Sequence, residues 1–438
     1  MSVIPNKFPL NVYDEVLFHL DKPGSPLNLH LEVCVRPSLH AHKLRAAITT
    51  AAHIHPMAQV SLAPYSHRDN QFFWRYHTEL ENIPLTVKEC TNNDELALLR
   101  NEFYSAAIPL LEAPAFRCLL VHCGAEESHL LLKMSNVLSD SYGANQFLMS
   151  ILRAYAGVSE SYDHQQFLTA RRASYSADIE RNSERLKAVG TLLGALDTAL
   201  KPPSKIAATG NGNATGIGVI PILFSPEQTQ QLMAKNANDA QLSHRIIAAL
   251  NLAIANWNDA HQQNTGRISL MRTFNTREHE WQESIASNLS IWVNINSQAK
   301  DRQNAEHLLH NIQQQVDGFR EHGVINLLVE IAHEIRALPA WLRQVLPGLL
   351  PVTGGRLLST AVTGSLHTIA APQLPGLTVS QWWFSPPCRF PTGLAIGSTE
   401  YNQHLHLCLR YHQQQFNERD AWAFAETLLD QLNTYAHP

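Results

Sequence analysis

The sequence predicts an α/β protein made of two similar layered domains, and three observations predict it. Residues 1 to about 160 alternate apolar, strand-like runs with helical stretches, which is the pattern of a sheet covered by helices. The same alternation resumes after residue 217. Between the two lies Pro202-Pro203-Ser204 through Ala208-Thr209-Gly210-Asn211-Gly212-Asn213-Ala214-Thr215-Gly216, rich in the Pro, Gly and Asn that resist regular structure. The expected division is 1–165 for the N-terminal domain, 166–216 for a helical crossover and linker, and 217–438 for the C-terminal domain.

In the first domain Leu29 to Val35 is an apolar run read as a strand, His40 to His53 a helix, and Gln71 to Tyr76 a strand. Ser128 to Met134 is again strand-like. Gly143 to Tyr155 carries Phe147, Leu148, Ile151 and Leu152 at helical spacing. Gln165 to Leu200 reads as a helix packed on the surface, with Ile179, Leu186, Val189, Leu192, Leu193, Leu196 and Leu200 on its apolar stripe. In the second domain Ile217 to Phe224 alternates like a strand. Ser225-Pro226-Glu227 then opens a helix with a capping serine and a proline at its first position. Ser243 is read as the cap of an apolar helix from Ile246 to Trp257, and Arg267 to Phe274 as a strand ending at Asn275-Thr276-Arg277.

Composition excludes several function classes. A chain of 438 residues with 45% hydrophobic content can bury real cores. A formal charge of −5 without any long Lys/Arg run argues against a nucleic-acid partner. No apolar run approaches the roughly 20 residues needed to span a bilayer, and Met1 to Leu20 lacks a basic start followed by an apolar core, so a cytoplasmic protein is expected. Cys34, Cys90, Cys118, Cys123, Cys388 and Cys408 show no Cys-x-x-Cys spacing and read as buried free thiols. The 23 histidines invite a metal site, but His53/His55 and His404/His406 offer only pairs, and no His-Glu-x-x-His helix occurs. Solvent-facing or hydrogen-bonded histidines and no metal are the expectation.

The segment Lys133-Met134-Ser135-Asn136-Val137-Leu138-Ser139-Asp140-Ser141-Tyr142-Gly143 lies between a strand and a helix and concentrates small polar side chains. Asn136 offers hydrogen bonds but no titration near neutral pH. Ser135, Ser139 and Ser141 suggest a nucleophile, yet a serine needs an adjacent base and no histidine lies in the segment. They read as small polar loop residues.

This strand–Asp140–helix frame resembles that of the CoA- or carrier-protein-dependent acyltransferase superfamily, which includes nonribosomal peptide synthetase condensation domains, wax ester synthases and chloramphenicol acetyltransferase. Its motif is His-His-x-x-x-Asp-Gly. Aligned on Asp140, the histidines fall on Ser135 and Asn136, and the glycine on Ser141. Further segments resemble the family in order: His55-Pro56-Met57-Ala58-Gln59-Val60-Ser61-Leu62, where a helix ends and a strand begins; Pro114 to Val121; Ser287-Asn288-Leu289-Ser290-Ile291-Trp292-Val293; and Thr378-Val379-Ser380-Gln381-Trp382-Trp383-Phe384 in place of the signature that bridges the domains. Gly393 to Asn402, Leu405 to Tyr411 and Arg419 to Leu432 resemble the closing hairpin and final helix.

The resemblance implies two chloramphenicol-acetyltransferase-like domains in a V-shaped pseudo-dimer with a central tunnel. It also implies that Asp140 is structural and pairs with Arg277 of the second domain. It implies a free-standing condensation-like acyltransferase in secondary metabolism, with Asn136 in place of the catalytic histidine and Ser135 beside it. Ser139, Ser141, Asn288, Ser380, Gln381 and Trp382 are the expected substrate-binding residues, although the aromatic run at 382–384 also suits a buried core strand. The expected partners are a phosphopantetheine thioester donor on a carrier protein or CoA, and a small amine or alcohol acceptor. No bound cofactor is expected, and the protein is expected to be a monomer. Two rival readings follow from the missing base: a non-catalytic recruitment module for a carrier protein or synthetase, and a changed reaction, cyclisation or elimination, in the same tunnel.

Overall fold

A computed structural model describes residues 4–21, 26–66, 69–161, 164–173, 191, 202–233, 239–278, 286–336, 338–339, 341–343, 358–389 and 392–436. The N-terminal half runs β1 (Lys7–Pro9), α1 (Val12–Leu20), β2 (Asn28–Arg36), α2 (Ala41–Ile54), β3 (Val60–Leu62), β4 (Phe73–Tyr76), β5 (Leu85–Cys90), α3 (Asn93–Ser105), β6 (Phe116–Cys123), β7 (Ser128–Ser135), α4 (Ser141–Tyr155) and α5 (His164–Ala173). The C-terminal half runs β8 (Ile217–Leu223), α6 (Pro226–Leu232), α7 (Asp239–Ala260), β9 (Ile268–Asn275), β10 (Ser290–Ser297), α8 (Ala305–Glu321), α9 (Val324–Arg336), β11 (Ala361–Ile369), β12 (Thr378–Ser385), β13 (Leu394–Tyr401), β14 (His404–His412) and α10 (Glu418–Asn433).

The class is α/β, as the alternation of patterns predicts. A five-stranded sheet has the order β12-β2-β7-β6-β5, and a six-stranded sheet the order β10-β9-β11-β13-β14-β8; β1, β4 and β3 form a small third sheet. Both large sheets mix parallel and antiparallel pairs. Helices α2 and α4 bury Leu44, Ile48, Phe147 and Ile151 against Leu29, Leu31 and Leu132 of the first sheet. Helices α7, α8 and α10 bury Ile247, Leu250, Leu308, Phe424 and Leu428 against Leu270, Ile396 and Leu407 of the second. Among the described residues no helix is long and apolar enough to cross a membrane.

Most local signals lead to the expected elements. Ser225 caps α6 through a capping box, with Pro226 at its first turn. The closing hairpin turns through Asn402 and Gln403, both at positive φ (50° and 65°), the backbone that a two-residue hairpin turn requires. Ser243 is a correction: α7 begins at Asp239, so this serine lies inside the helix and does not cap it. Of the long helix expected over Gln165 to Leu200, the described part is α5; its apolar stripe, Ile179 to Leu200, lies outside the described residues.

One strand crosses between the halves. β12 belongs by sequence to the C-terminal half, yet it pairs with β2 as the edge of the N-terminal sheet, from Thr378 opposite Arg36 to Ser385 opposite His30. Its other side lies against β13. There Gly397 leaves no room for a side chain, because a Cβ would come within 1.8 Å of the Phe384 carbonyl oxygen. The glycine is needed for close backbone approach. Gly397→Ala should therefore lower stability by at least about 1–3 kcal/mol through overpacking. An unchanged thermal midpoint in the variant would show that this contact is soft.

Candidate functional site

Asp140 stands where the two halves meet. It caps α4, and its Oδ1 accepts from the Gly143 N–H at 2.9 Å. Arg277, just beyond the end of β9, grips it with two donors: Nη2 to Oδ1 at 2.8 Å and Nη1 to Oδ2 at 2.7 Å. The Leu289 N–H and the Ser290 hydroxyl add bonds to Oδ2 at 2.8 and 2.7 Å. Both side chains are almost wholly buried. Burial alone would push the Asp140 carboxyl up. The Arg277 charge and these donors outweigh it and hold the group below its ordinary 3.8. The pair expected between Asp140 and Arg277 is thus present, bidentate and buried.

Around it runs a second polar chain that the sequence did not disclose. Asn288 donates from Nδ2 to the Asn136 carbonyl at 3.1 Å, and its own carbonyl accepts from Asn11 Nδ2 at 2.9 Å. Asn11 caps α1 in a capping box with Asp14. Asp14 Oδ2 accepts from Arg171 Nη2 at 2.6 Å and from the Trp74 indole at 2.8 Å. Arg171 Nη1 then reaches Ser287 Oγ at 2.8 Å, while the Ser287 carbonyl accepts from Arg277 Nη2 at 2.6 Å. Complete burial raises the Asp14 carboxyl above its usual range despite Arg171. The local signals were Asn and Asp at helix starts, but their long-range partners have no signature in sequence.

The motif loop itself is mostly closed. Ser135 ends β7, donates its N–H to the Ala115 carbonyl at 3.1 Å, and accepts on Oγ from the Val137 N–H at 3.2 Å. Ser139 is buried and points its hydroxyl at the Asp140 carbonyl, 3.1 Å away. It lies under Gly143, where a Cβ would come within 2.2 Å of the Ser139 Oγ. The same Cβ would come within 2.7 Å of the Ser287 backbone nitrogen, so Gly143, in the first turn of α4, must lack a side chain. Ser141, onto which the motif glycine aligns, is buried in the first turn of α4 and accepts on its carbonyl from Asn145 at 2.9 Å. Between residues 135 and 141, Asn136 alone retains solvent access. Its main chain is fixed by the Leu27 carbonyl at 2.7 Å and by Asn288.

Two expected substrate-binding positions, Ser380 and Gln381, stand elsewhere, and the reason is strand register. Asn28 of β2 faces Ser135 of β7, whereas Cys34 of β2 faces Gln381 of β12. Six residues of strand separate these points, roughly 20 Å at ~3.3 Å per residue. Ser380 sits exposed at an irregularity in the ladder, with its hydroxyl toward the Cys34 carbonyl at 3.4 Å. Gln381 accepts from the Trp383 indole at 3.2 Å. Trp382 is core: it is fully buried and donates to Asn145 Oδ1 at 2.7 Å. Ser139 likewise spends its hydroxyl within the protein, on the Asp140 carbonyl, and Ser141 is buried.

Two titratable side chains near the motif escaped the sequence reading. Lys133, two residues before Ser135 in β7, is buried and donates to the carbonyls of Phe103 and Ala106; burial, with the charges of Arg117 and Arg410, lowers it to about 8. His367 of β11 packs edge-on against Tyr142 at 4.5 Å and Phe384 at 4.9 Å. Burial lowers its imidazole to about 4, so it is neutral across the physiological range. Neither has a nearby sequence signal, because each reaches the junction through sheet pairing.

Comparison with known proteins agrees with this architecture. No family model matches the sequence. An uncharacterized protein of Mycobacterium tuberculosis, found in strains CDC 1551 and H37Rv, is 22% identical over 396 residues, covering 88% of this chain and 90% of the relative. Among solved structures, the first condensation domain of the CDA synthetase matches with a TM-score of 0.73 at 12% identity, over 98% of this chain and 96% of that one. The starter condensation domain of rhizomide synthetase, in complex with C8-CoA and Leu-SNAC, matches at 0.69 and 12% identity, over 98% and 95%. The X-domain from teicoplanin biosynthesis, in complex with OxyB, matches at 0.60 and 15% identity, over 100% and 94%. The chain therefore has the condensation-domain fold over nearly its full length.

The pH behaviour of the clamp follows from the depressed carboxyl. A group whose folded value lies below its unfolded value adds stability that is full above the unfolded value and is lost as pH falls through the folded one. Asp140→Asn should therefore cost about 3–5 kcal/mol at neutral pH, by leaving Arg277 buried without its partner. That penalty should start to shrink as pH falls below the ordinary 3.8 and vanish as it passes through the lower folded value, where wild type loses the same charge. Urea denaturation of both proteins across this range measures it, and a penalty independent of pH would remove the ion pair as its cause.

Proposed function

We propose that this protein binds an acyl thioester, carried on phosphopantetheine of a carrier protein or of CoA, in a passage between its halves beside Asn136, and transfers the acyl group to an amine or alcohol. Natural-product assembly is the setting this reading implies. The observation that carries it is the contrast within the motif loop. The Asp140–Arg277 clamp fixes the loop, the Ser135 and Ser139 hydroxyls are buried and hydrogen-bonded, and Asn136 presents a side chain with solvent access and no hydrogen bond within the described residues. The fold shared with a condensation domain that holds C8-CoA supports the thioester class.

In this reading the acceptor attacks the thioester carbonyl carbon, a tetrahedral intermediate forms, and the C–S bond breaks as the new amide or ester forms, the thiolate leaving and taking a proton from solvent. Asn136 Nδ2 acts as a hydrogen-bond donor to the developing oxyanion, a contribution worth about 10²- to 10³-fold when such a donor is removed. It cannot take the acceptor's proton, which passes to solvent. A positioned base would add about 10²- to 10⁴-fold. Catalysis would then rest on proximity and oxyanion stabilisation.

A second reading is a recruitment module that engages a carrier protein or synthetase without turning over. The absence of a titratable side chain at Ser135, Asn136 or Ser139 favours it, as does the shared fold of an X-domain seen with a partner enzyme. Asn136 separates the two readings. Its partial exposure lets it accept a large side chain, whereas Ser139, closed under Gly143, does not. Acyl transfer from acyl-CoA or acyl-carrier to candidate amines, followed by intact mass spectrometry, should fall about 100-fold in Asn136→Ala, rise in Asn136→His, and stop in Asn136→Trp. Folded variants that all keep wild-type output in the complete pathway would refute the transferase reading and leave recruitment.

A further inference from the structure

A second cluster of reactive side chains lies at the other end of the N-terminal sheet. Antiparallel pairing of β2 with β7 sets Cys34 directly opposite His129, and Glu127 immediately precedes β7. The Cys34 thiol sulphur, an imidazole nitrogen of His129 and a carboxylate oxygen of Glu127 all lie within 4.8 Å of one another. His129 Nε2 is 3.6 Å from Glu127 Oε1. Glu127 Oε2 is occupied by Arg36, which leaves Oε1 turned toward the histidine.

The histidine is oriented from behind. Glu32, two residues before Cys34 on the same face of β2, accepts from His129 Nδ1 at 2.6 Å. Arg100 holds Glu32 with two donors at 2.8 and 2.6 Å. A carboxylate on Nδ1 fixes the tautomer and leaves Nε2 for a ligand, the arrangement that supports metal-bound histidines. Cys34 and His129 are only 2% and 6% exposed, so the donors are preorganised in a largely dry place.

We propose that Cys34, His129 and Glu127 form a binding site for a divalent transition metal of the zinc class, oriented by Glu32 and Arg100. A mixed sulphur, nitrogen and oxygen set is what zinc accepts, and three protein ligands leave a fourth position for water. His129 and Glu127 also line a cavity of about 1160 Å³ with Ser38, His40, His122 and Tyr155, which provides an entry path.

The site is separate from the motif loop. Cys34 is six residues along β2 from Asn28, the residue opposite Ser135, which is roughly 20 Å. Its role is to staple β2 to β7 and to the turn before it, independently of acyl transfer. The test is a titration of the purified full chain, freed of metal by chelation, with Co(II) as an optical probe. A cobalt–thiolate charge-transfer band should saturate at one equivalent and be displaced by one equivalent of Zn(II), which should also raise the thermal midpoint. Cys34→Ser should abolish the band, and Glu127→Gln, at a half-buried position, should weaken affinity at least about 10-fold with unchanged circular dichroism. No thiolate band in wild type would overturn the proposal. So would an equal band in Cys34→Ser, which would assign the metal to another thiol such as Cys90 or Cys123 in the same cavity.

Discussion

A buried carboxylate must find donors or it destabilises the fold, and Asp140 finds four of its five across the junction of the halves, from Arg277, Leu289 and Ser290. Removing an ion from water costs several kcal/mol, and Coulomb attraction offsets that only where geometry is good and the remaining lone pairs are used. Here they are used, and one of the five bonds starts helix α4. The segment 287–290 depends equally on the N-terminal half: Asn288 spans from Asn136 to Asn11, and Ser287 from Arg277 to Arg171. Neither half satisfies these groups alone. The relative placement of the halves is thereby set by polar geometry, and the apolar cores need supply only adhesion.

This division explains how a motif can lose its reactive group without losing its place. The carboxylate, the arginine and the close approach at Gly143 are structural requirements, and each is met. The positions of the two motif histidines carry no such requirement. Ser135 is tied through both its N–H and its hydroxyl, whereas Asn136 is held by its N–H and carbonyl alone, so the Asn136 side chain is outside the framework.

Legibility in the sequence follows the same line. Elements set by local rules were readable: the Ser225-Pro226 helix start, the apolar spacing of α4, and the strand β7 that delivers the loop; the β13–β14 hairpin was reached through resemblance. The Asp140–Arg277 pair was reached through resemblance, since nothing local joins residues 137 positions apart. What failed was register. Trp382 has an aromatic neighbourhood that suits a pocket or a core equally, and only the pairing of Gln381 with Cys34 shows that this stretch is at the wrong end of the sheet for Asn136. Ser243 failed for a simpler reason, because a serine before an apolar run is a cap only if the helix has not already begun.

The β2–β7 ladder also explains why the two candidate sites coexist without interference. Antiparallel pairing places the end of β7 at the junction and its beginning at the opposite edge, so one strand pair serves two environments. At the junction the polar groups are backbone amides, serines and an asparagine, ordered by a charge clamp from the other half. At the far edge they are a thiol, an imidazole and carboxylates, ordered by Arg100 and Arg36 from the same half. The first arrangement exists only when the halves are docked. The second is complete within the N-terminal sheet, and any ion it holds would stiffen the strand that carries Asn136 to the junction.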